Sequence, residues 1–161
     1  MKVNRISKKL GALVLCAALA AGSLVVSAGA AQSSTVTAQL SPNIDVVVDG
    51  VERTFYNVSG TEVHPIAYNG TTYLPLRAIG ELMGKNVNWD QSTLTASLTS
   101  PRTSAAATGT PDTSAVTQNV TVGLHPEYTI LVDGVERTFT NVNGTVVYPM
   151  AYNGSIYLPI R

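Results

Sequence analysis

The sequence predicts a mainly β, α+β chain built by duplication, and three observations carry that expectation. Val36–Arg77 aligns without a gap to Val120–Arg161, a shift of 84 residues, with 26 identities in 42 positions, and self-similarity at a fixed period marks a repeated structural unit. Asp49-Gly50, Asn69-Gly70 and Asp133-Gly134 each sit between short apolar runs. Such dipeptides suit two-residue type I′ hairpins, because both turn residues need positive φ. Only one stretch has helical spacing: Ile79, Leu82 and Met83 stand at i, i+3 and i+4.

The elements follow in chain order. Met1–Lys9 carries Lys2, Arg5, Lys8 and Lys9 without an acid, Leu10–Val26 is apolar and alanine-rich, and Ser27–Ala31 is a run of small residues. A basic start, an apolar middle and an A-x-A end form a secretory signal peptide over residues 1–30, cut after Ala30. A bilayer span needs about 20 predominantly apolar residues, and this run is interrupted by Gly11 and by Gly22-Ser23. No integral membrane segment is therefore expected after cleavage. Cys16, the only cysteine, follows Leu15 rather than the small residue of a lipoprotein signal and leaves with the peptide. The remaining chain has no thiol, which excludes disulfides, thiolate metal sites and cysteine nucleophiles.

Beyond a short leader, Gln32–Thr35, the first module spans residues 35–98. Val36–Leu40 reads as a strand. Ile44–Val48 and Val51–Tyr56 form a hairpin about Asp49-Gly50, and Pro65–Tyr68 and Thr72–Leu76 form another about Asn69-Gly70. A helix of about two turns follows Pro75 and stops at Gly84, and Asn86–Trp89 with Thr93–Leu98 closes the module as a last hairpin. The core is expected from Val46, Val48, Val51, Phe55, Leu74, Leu76, Ile79, Leu82, Val87 and Trp89. A unit of this size buries only about 60% of its chain's surface, which leaves no room for a deep catalytic cavity. Residues 99–119, rich in Ser, Thr, Ala and Pro, read as a flexible linker. Residues 120–161 read as a truncated second copy without counterparts of Ala78–Leu98. Isolated hairpins are marginal in water, so that copy is expected to fray, or to self-associate through its open edge.

Tyr68 to Asp90 reads YNGTTYLPLRAIGELMGKNVNWD, preceded by SPNIDVVVDG from Ser41 to Gly50. The order hairpin, L-P-x-R, short helix and x-W-D resembles the copper amine oxidase N-terminal domain family, also called stalk domains, of exported Gram-positive bacterial proteins. The resemblance covers Val36–Leu98 and the matching part of Val120–Arg161. It implies a small antiparallel sheet wrapped around one short helix. It implies no activity, cofactor or catalytic residue, since copper and the quinone cofactor of amine oxidases belong to a separate C-terminal domain.

Charge and side-chain chemistry narrow the function. After residue 30 the chain keeps six basic residues against ten acidic ones, a net of −4, and without a basic patch a nucleic-acid partner is excluded. His64 aligns with Tyr148 and His125 with Ser41. Each position thus tolerates a residue that cannot replace imidazole, and one histidine per copy falls short of a copper or zinc ligand set. Asp49 and Asp133 are explained by their turns, and Glu52 and Glu136 by exposed strands. Arg77 and Arg161 are expected to hold the strand-to-helix corner through carbonyls or an acid such as Asp90. In the second hairpin Ile66 should pair with Tyr73, with Tyr68 on the same face, and Tyr152 and Tyr157 repeat the pattern. These four rings are the binding candidates, for a cell-wall polymer or envelope protein, although cross-strand packing explains them more simply. The expected protein is a secreted or cell-surface, non-catalytic spacer or adhesive module. The alternative is the accessory N-terminal region of a longer secreted enzyme such as a cell-wall hydrolase or peptidase.

Overall fold

The computed structural model describes residues 32–160. The expected signal peptide, Cys16 and Arg161 lie outside the described residues. The first repeat runs through β1 (Ser34–Leu40), β2 (Val47–Val48), β3 (Val51–Glu52), β4 (Phe55–Tyr56), β5 (Glu62–Val63), β6 (Ile66–Tyr68) and β7 (Thr71–Pro75). It continues with α1 (Leu76–Leu82), β8 (Asn86–Asp90) and β9 (Thr95–Thr99). The second runs through β10 (Gln118–Leu124), β11 (Thr129–Val132), β12 (Val135–Glu136), β13 (Phe139–Thr140), β14 (Val146–Val147), β15 (Met150–Tyr152) and β16 (Ser155–Pro159).

The turn chemistry is as the sequence predicts. Asp49, Asn69 and Asp133 have φ of 52°, 47° and 49°, each followed by a glycine at positive φ, and Asn153-Gly154 adds a fourth such turn. Pairing of Ile66 with Tyr73 and of Tyr68 with Thr71 gives the second hairpin its predicted register.

The architecture departs from a sheet wrapped around a helix. Three strands of each repeat close into one six-stranded barrel, in the order β1-β10-β15-β16-β7-β6. Two antiparallel seams join the halves, and both are centred on repeat-equivalent residues. Thr37 lies opposite Thr121 in one seam, and Leu74 lies opposite Leu158 in the other. That register is the signature of an isologous interface, in which residue i meets j and j meets i. Ser34 pairs with Leu124 and Leu40 with Gln118, and Tyr73 pairs with Pro159 while Pro75 pairs with Tyr157. The chain therefore carries a local two-fold axis.

The core of the barrel follows the same symmetry, and a second cluster beside it does not. Inside the barrel, Ala38, Ile66 and Tyr73 pack with their counterparts Val122, Met150 and Tyr157. A second cluster gathers Leu76, Ala96 and Leu98 of the first repeat with Ile130 and Leu158 of the second, flanked by Ile79, Val87, Trp89, Val132 and Phe139. The expected core is corrected at two points: Val51 is exposed, and so is Leu82. The helix buries Leu76, Ala78 and Gly80 rather than the Leu82–Met83 side. At Gly80 a Cβ would stand 2.2 Å from Val87 Cγ2, so a glycine lets α1 lie directly on β8.

The second repeat does not hang free. β11 lies parallel to β9, with Thr129–Val132 opposite Thr95–Leu98, in a four-stranded sheet ordered β12-β11-β9-β8. The closing hairpin of the first repeat thus carries the second repeat's leading hairpin, β11–β12, through β9, with Leu76 and Ile79 of α1 packed in the same cluster as Ile130, which removes the reason for that copy to fray. Nor is the segment between the repeats unattached. Arg102 forms an ion pair with Glu81 at 3.1 Å, the Ala107 N–H donates to Glu81 Oε1 at 2.9 Å, and the Asp112 N–H donates to Glu62. The Thr117 hydroxyl donates to Asn43 Oδ1 at 2.7 Å. Its Ser/Thr-rich composition supplies side chains and backbone groups that bond to the module instead of packing as a core.

Candidate binding cleft

The four tyrosines singled out from the sequence do share a face, but it is the inside of the barrel. Tyr73 and Tyr157 are 1% and 2% exposed, while Tyr68 and Tyr152 are half-buried and pack against the same cluster. Burial, with Tyr68 nearby, pushes the Tyr73 phenol up to about 12, and burial raises that of Tyr157 further. Those two rings are corrected from surface candidates to core residues, because closure between repeats turns their face inward.

A different set of rings reaches a surface. A cleft of about 360 Å³ opens between the two repeats, with Tyr56, Trp89 and Tyr128 among its walls and Leu76, Val87 and Ile156 beneath them. β8 supplies Trp89, whose indole N–H donates to Gln91 Oε1 at 3.0 Å. The Tyr128 ring lies 4.9 Å from that of Trp89, tilted by 56°. On its other side Tyr128 stacks on His125 at 4.2 Å and 10°, and His125 Nδ1 is 2.7 Å from Glu127 Oε1. Burial, with Glu127 beside it, raises the Tyr128 phenol above its ordinary value. Glu127, His125, Tyr128 and Trp89 therefore form one row that crosses the boundary between repeats.

The row exists where the repeats differ. His125 stands at the counterpart of Ser41, Tyr128 at that of Ile44, and Gly123 at that of Gln39. A Cβ on Gly123 would come within 2.6 Å of His125 Nε2, so that glycine makes room for the imidazole. Sequence reasoning missed this set, although three clustered departures from the repeat in one short segment were a legible signal.

Polar groups at the cleft are few. Arg77, at the start of α1, lines it, and the expected bonds from its guanidinium to corner carbonyls or Asp90 are not made among the described residues. Asn57 and Gln91 add amides, and no carboxylate lines the cleft. Most glycoside hydrolysis uses two acids flanking the bond, and the lining of this cleft contains none.

A second, more polar cavity of about 330 Å³ is lined by Glu62, His64, Asp112 and Ser114. His64 Nδ1 lies 3.6 Å from Glu62, and the Ser114 hydroxyl donates to Asp112 Oδ1 at 2.6 Å rather than to the histidine. No nucleophile is thereby activated. Among the described residues no three His, Cys, Asp or Glu side chains gather as a ligand set. His64 and His125, each beside one carboxylate, do not fit copper. No described helix is long and apolar enough to cross a membrane.

Comparison with known families gives one result. The profile described as Copper amine oxidase N-terminal domain matches residues 47–161, and the chain belongs to that family. That domain is a non-catalytic accessory domain. Comparisons with curated proteins and with solved structures return no match.

Proposed function

With that membership as premise, we propose that the protein is an exported, non-catalytic binding and spacing module at the cell envelope, and that the aromatic cleft is its contact with a cell-wall glycan. The carrying observation is that three rings, Tyr56, Trp89 and Tyr128, line one cleft together with Arg77 and Gln91, in a lining free of carboxylates. Flat aromatic faces with a few placed polar groups are the usual make-up of a small-ligand site, and rings such as Trp combine large contact area with a polar edge. The signal-like residues 1–30 support export.

Retention on insoluble peptidoglycan and wall polysaccharides tests the reading, with Tyr128→Ala and Arg77→Gln beside the parent chain. Each change should lower retention about tenfold, equivalent to roughly 1.4 kcal/mol, while the far-ultraviolet spectrum stays the same. Equal retention by all three chains, or none by the parent, overturns the glycan reading. Export is tested separately by N-terminal sequencing of the secreted product, expected to begin at Ala31. A product that keeps Met1 in a membrane fraction would refute export.

The family description favours a second reading, in which the chain is the accessory N-terminal region of a longer secreted enzyme. The reading frame past Arg161 decides between them: a catalytic domain there supports the enzyme, and a stop or further repeats support the module.

A further inference from the structure

Val48–Phe55 and Val132–Phe139 are identical in sequence, yet their hairpins meet different surroundings. The second is completed from outside. The Thr129 N–H donates to the Leu94 carbonyl at 3.1 Å and the Asp133 N–H to the Leu98 carbonyl at 2.8 Å. The Asp133 carboxylate accepts from the ammonium of Lys85 and from the Ser100 N–H at 2.9 Å. On the first hairpin the counterparts are Asp45, Val47 and Asp49, all exposed, and among the described residues β3 is the only strand beside β2. Leu131 is half-buried where Val47 is 59% exposed. Leu76 is 5% exposed where its counterpart Ile160 is 41% exposed.

We propose that the free edge of β2 is a docking surface for a helix–hairpin segment of the Leu76–Ser100 kind, borne by another repeat and laid parallel to β2. The two-fold axis specifies the chemistry of the occupant. Its last strand offers carbonyls to the Asp45 and Asp49 N–H groups and turns small and aliphatic side chains inward, as Ala96 and Leu98 do. A lysine in the position of Lys85 meets the Asp49 carboxylate. An unmodified second copy of this chain does not fit, because its own β9 is already paired with its own β11. Direct pairing of two β2 edges would satisfy the backbone, but it would bring the Asp45 and Asp49 carboxylates of both copies together, and like charges face to face are destabilising. Exposed strand edges are ready templates for strand addition.

The test appends the sequence of Ala78–Arg102 in frame after Arg161 and follows amide hydrogen exchange in the whole extended chain. Exchange at Asp45 and Asp49 should slow at least about tenfold, towards the rates of Thr129 and Asp133, which serve as the internal standard for an intact fold. Asp49→Ala, or alanine at the appended lysine, should reduce that gain. Unchanged exchange at Asp45 and Asp49 with the standard amides still protected overturns the proposal. A gain undiminished by both alanine changes refutes the charge pairing. Dimerisation of the unextended chain that protects the same two amides would show that a second copy covers the edge, and would also overturn it. The outcome is independent of glycan binding, which is read at Tyr128 and Arg77.

Discussion

The leading hairpins of the two repeats, β2–β3 and β11–β12, share eight consecutive residues, so their differences come from what lies beside them. β11 has β9 along its outer edge and a lysine on its turn aspartate, whereas among the described residues β2 has neither. Local sequence settles the hairpin and its turn in both cases, and Asp49 and Asp133 have nearly the same φ. Tertiary pairing then decides which hairpin becomes part of a core. Inner faces do not follow this division simply, since Phe55 is buried and Phe139 only half-buried. The contrast is one of edges.

Four perturbations probe that contrast, beginning with the largest. Leu98 is 1% exposed on the strand between β8 and β11. Leu98→Ala should cost about 2–5 kcal/mol and speed amide exchange at Thr129–Val132 far more than at Val47–Val48. Equal acceleration in both hairpins would dissolve the contrast. A matched pair sharpens it: Ile130→Ala should lower the unfolding free energy read from denaturant titration by about 2–5 kcal/mol. Its counterpart Val46→Ala should cost under about half of that, because Val46 is only half-buried. Losses of similar size would mean that β2 is as well supported as β11.

Gly80→Ala acts through the shared support. Alanine favours helices over glycine by about 1 kcal/mol, but the added methyl meets Val87, and overpacking costs about 1–3 kcal/mol. A small net destabilisation is expected in thermal melts, felt at β11 and not at β2. A raised melting temperature would show that α1 can lift off β8 freely.

The smallest effect depends on pH. The Lys85 ammonium, and then the Ser100 N–H, hold the Asp133 carboxyl below its ordinary value. A folded-state value below the unfolded one stabilises above the unfolded value and is lost as pH falls through the depressed one. Acid should therefore loosen β11 from β9 in that window, and Asp133→Asn should flatten the dependence seen in amide exchange at Ile130–Val132. Unaltered pH dependence in that variant would assign the acid response to another group.

Much of the local structure was legible, for definite reasons. Asp-Gly and Asn-Gly are among the few dipeptides that accept two consecutive positive φ values, so the turns at Asp49 and Asn69 and the Ile66–Tyr73 register could be read directly. The helix was placed well but its buried side was not. Leu76, Ile79 and Gly80 also stand at i, i+3 and i+4, and only contact with Val87 reveals that a glycine belongs to the packed face. Pairing between segments 84 residues apart has no local signature, which is why the barrel, the inward turn of Tyr73 and Tyr157, and the support of β11 by β9 could not be read. The cleft was partly legible: His125, Tyr128 and Gly123 all depart from the repeat within one short stretch.

Thr37 facing Thr121 and Leu74 facing Leu158 describe a homodimer whose subunits share one chain. On such an axis a residue must be compatible with itself, and an uncharged hydroxyl and an aliphatic side chain both meet that condition. Off the axis, tethering frees each half to change alone, as Ser41 and His125 have done. The segment from Ser100 to Thr117 is then the element that makes dimerisation intramolecular. By holding the second half at an effective concentration of the order of millimolar, it would let the barrel close in dilution where two separate halves would drift apart.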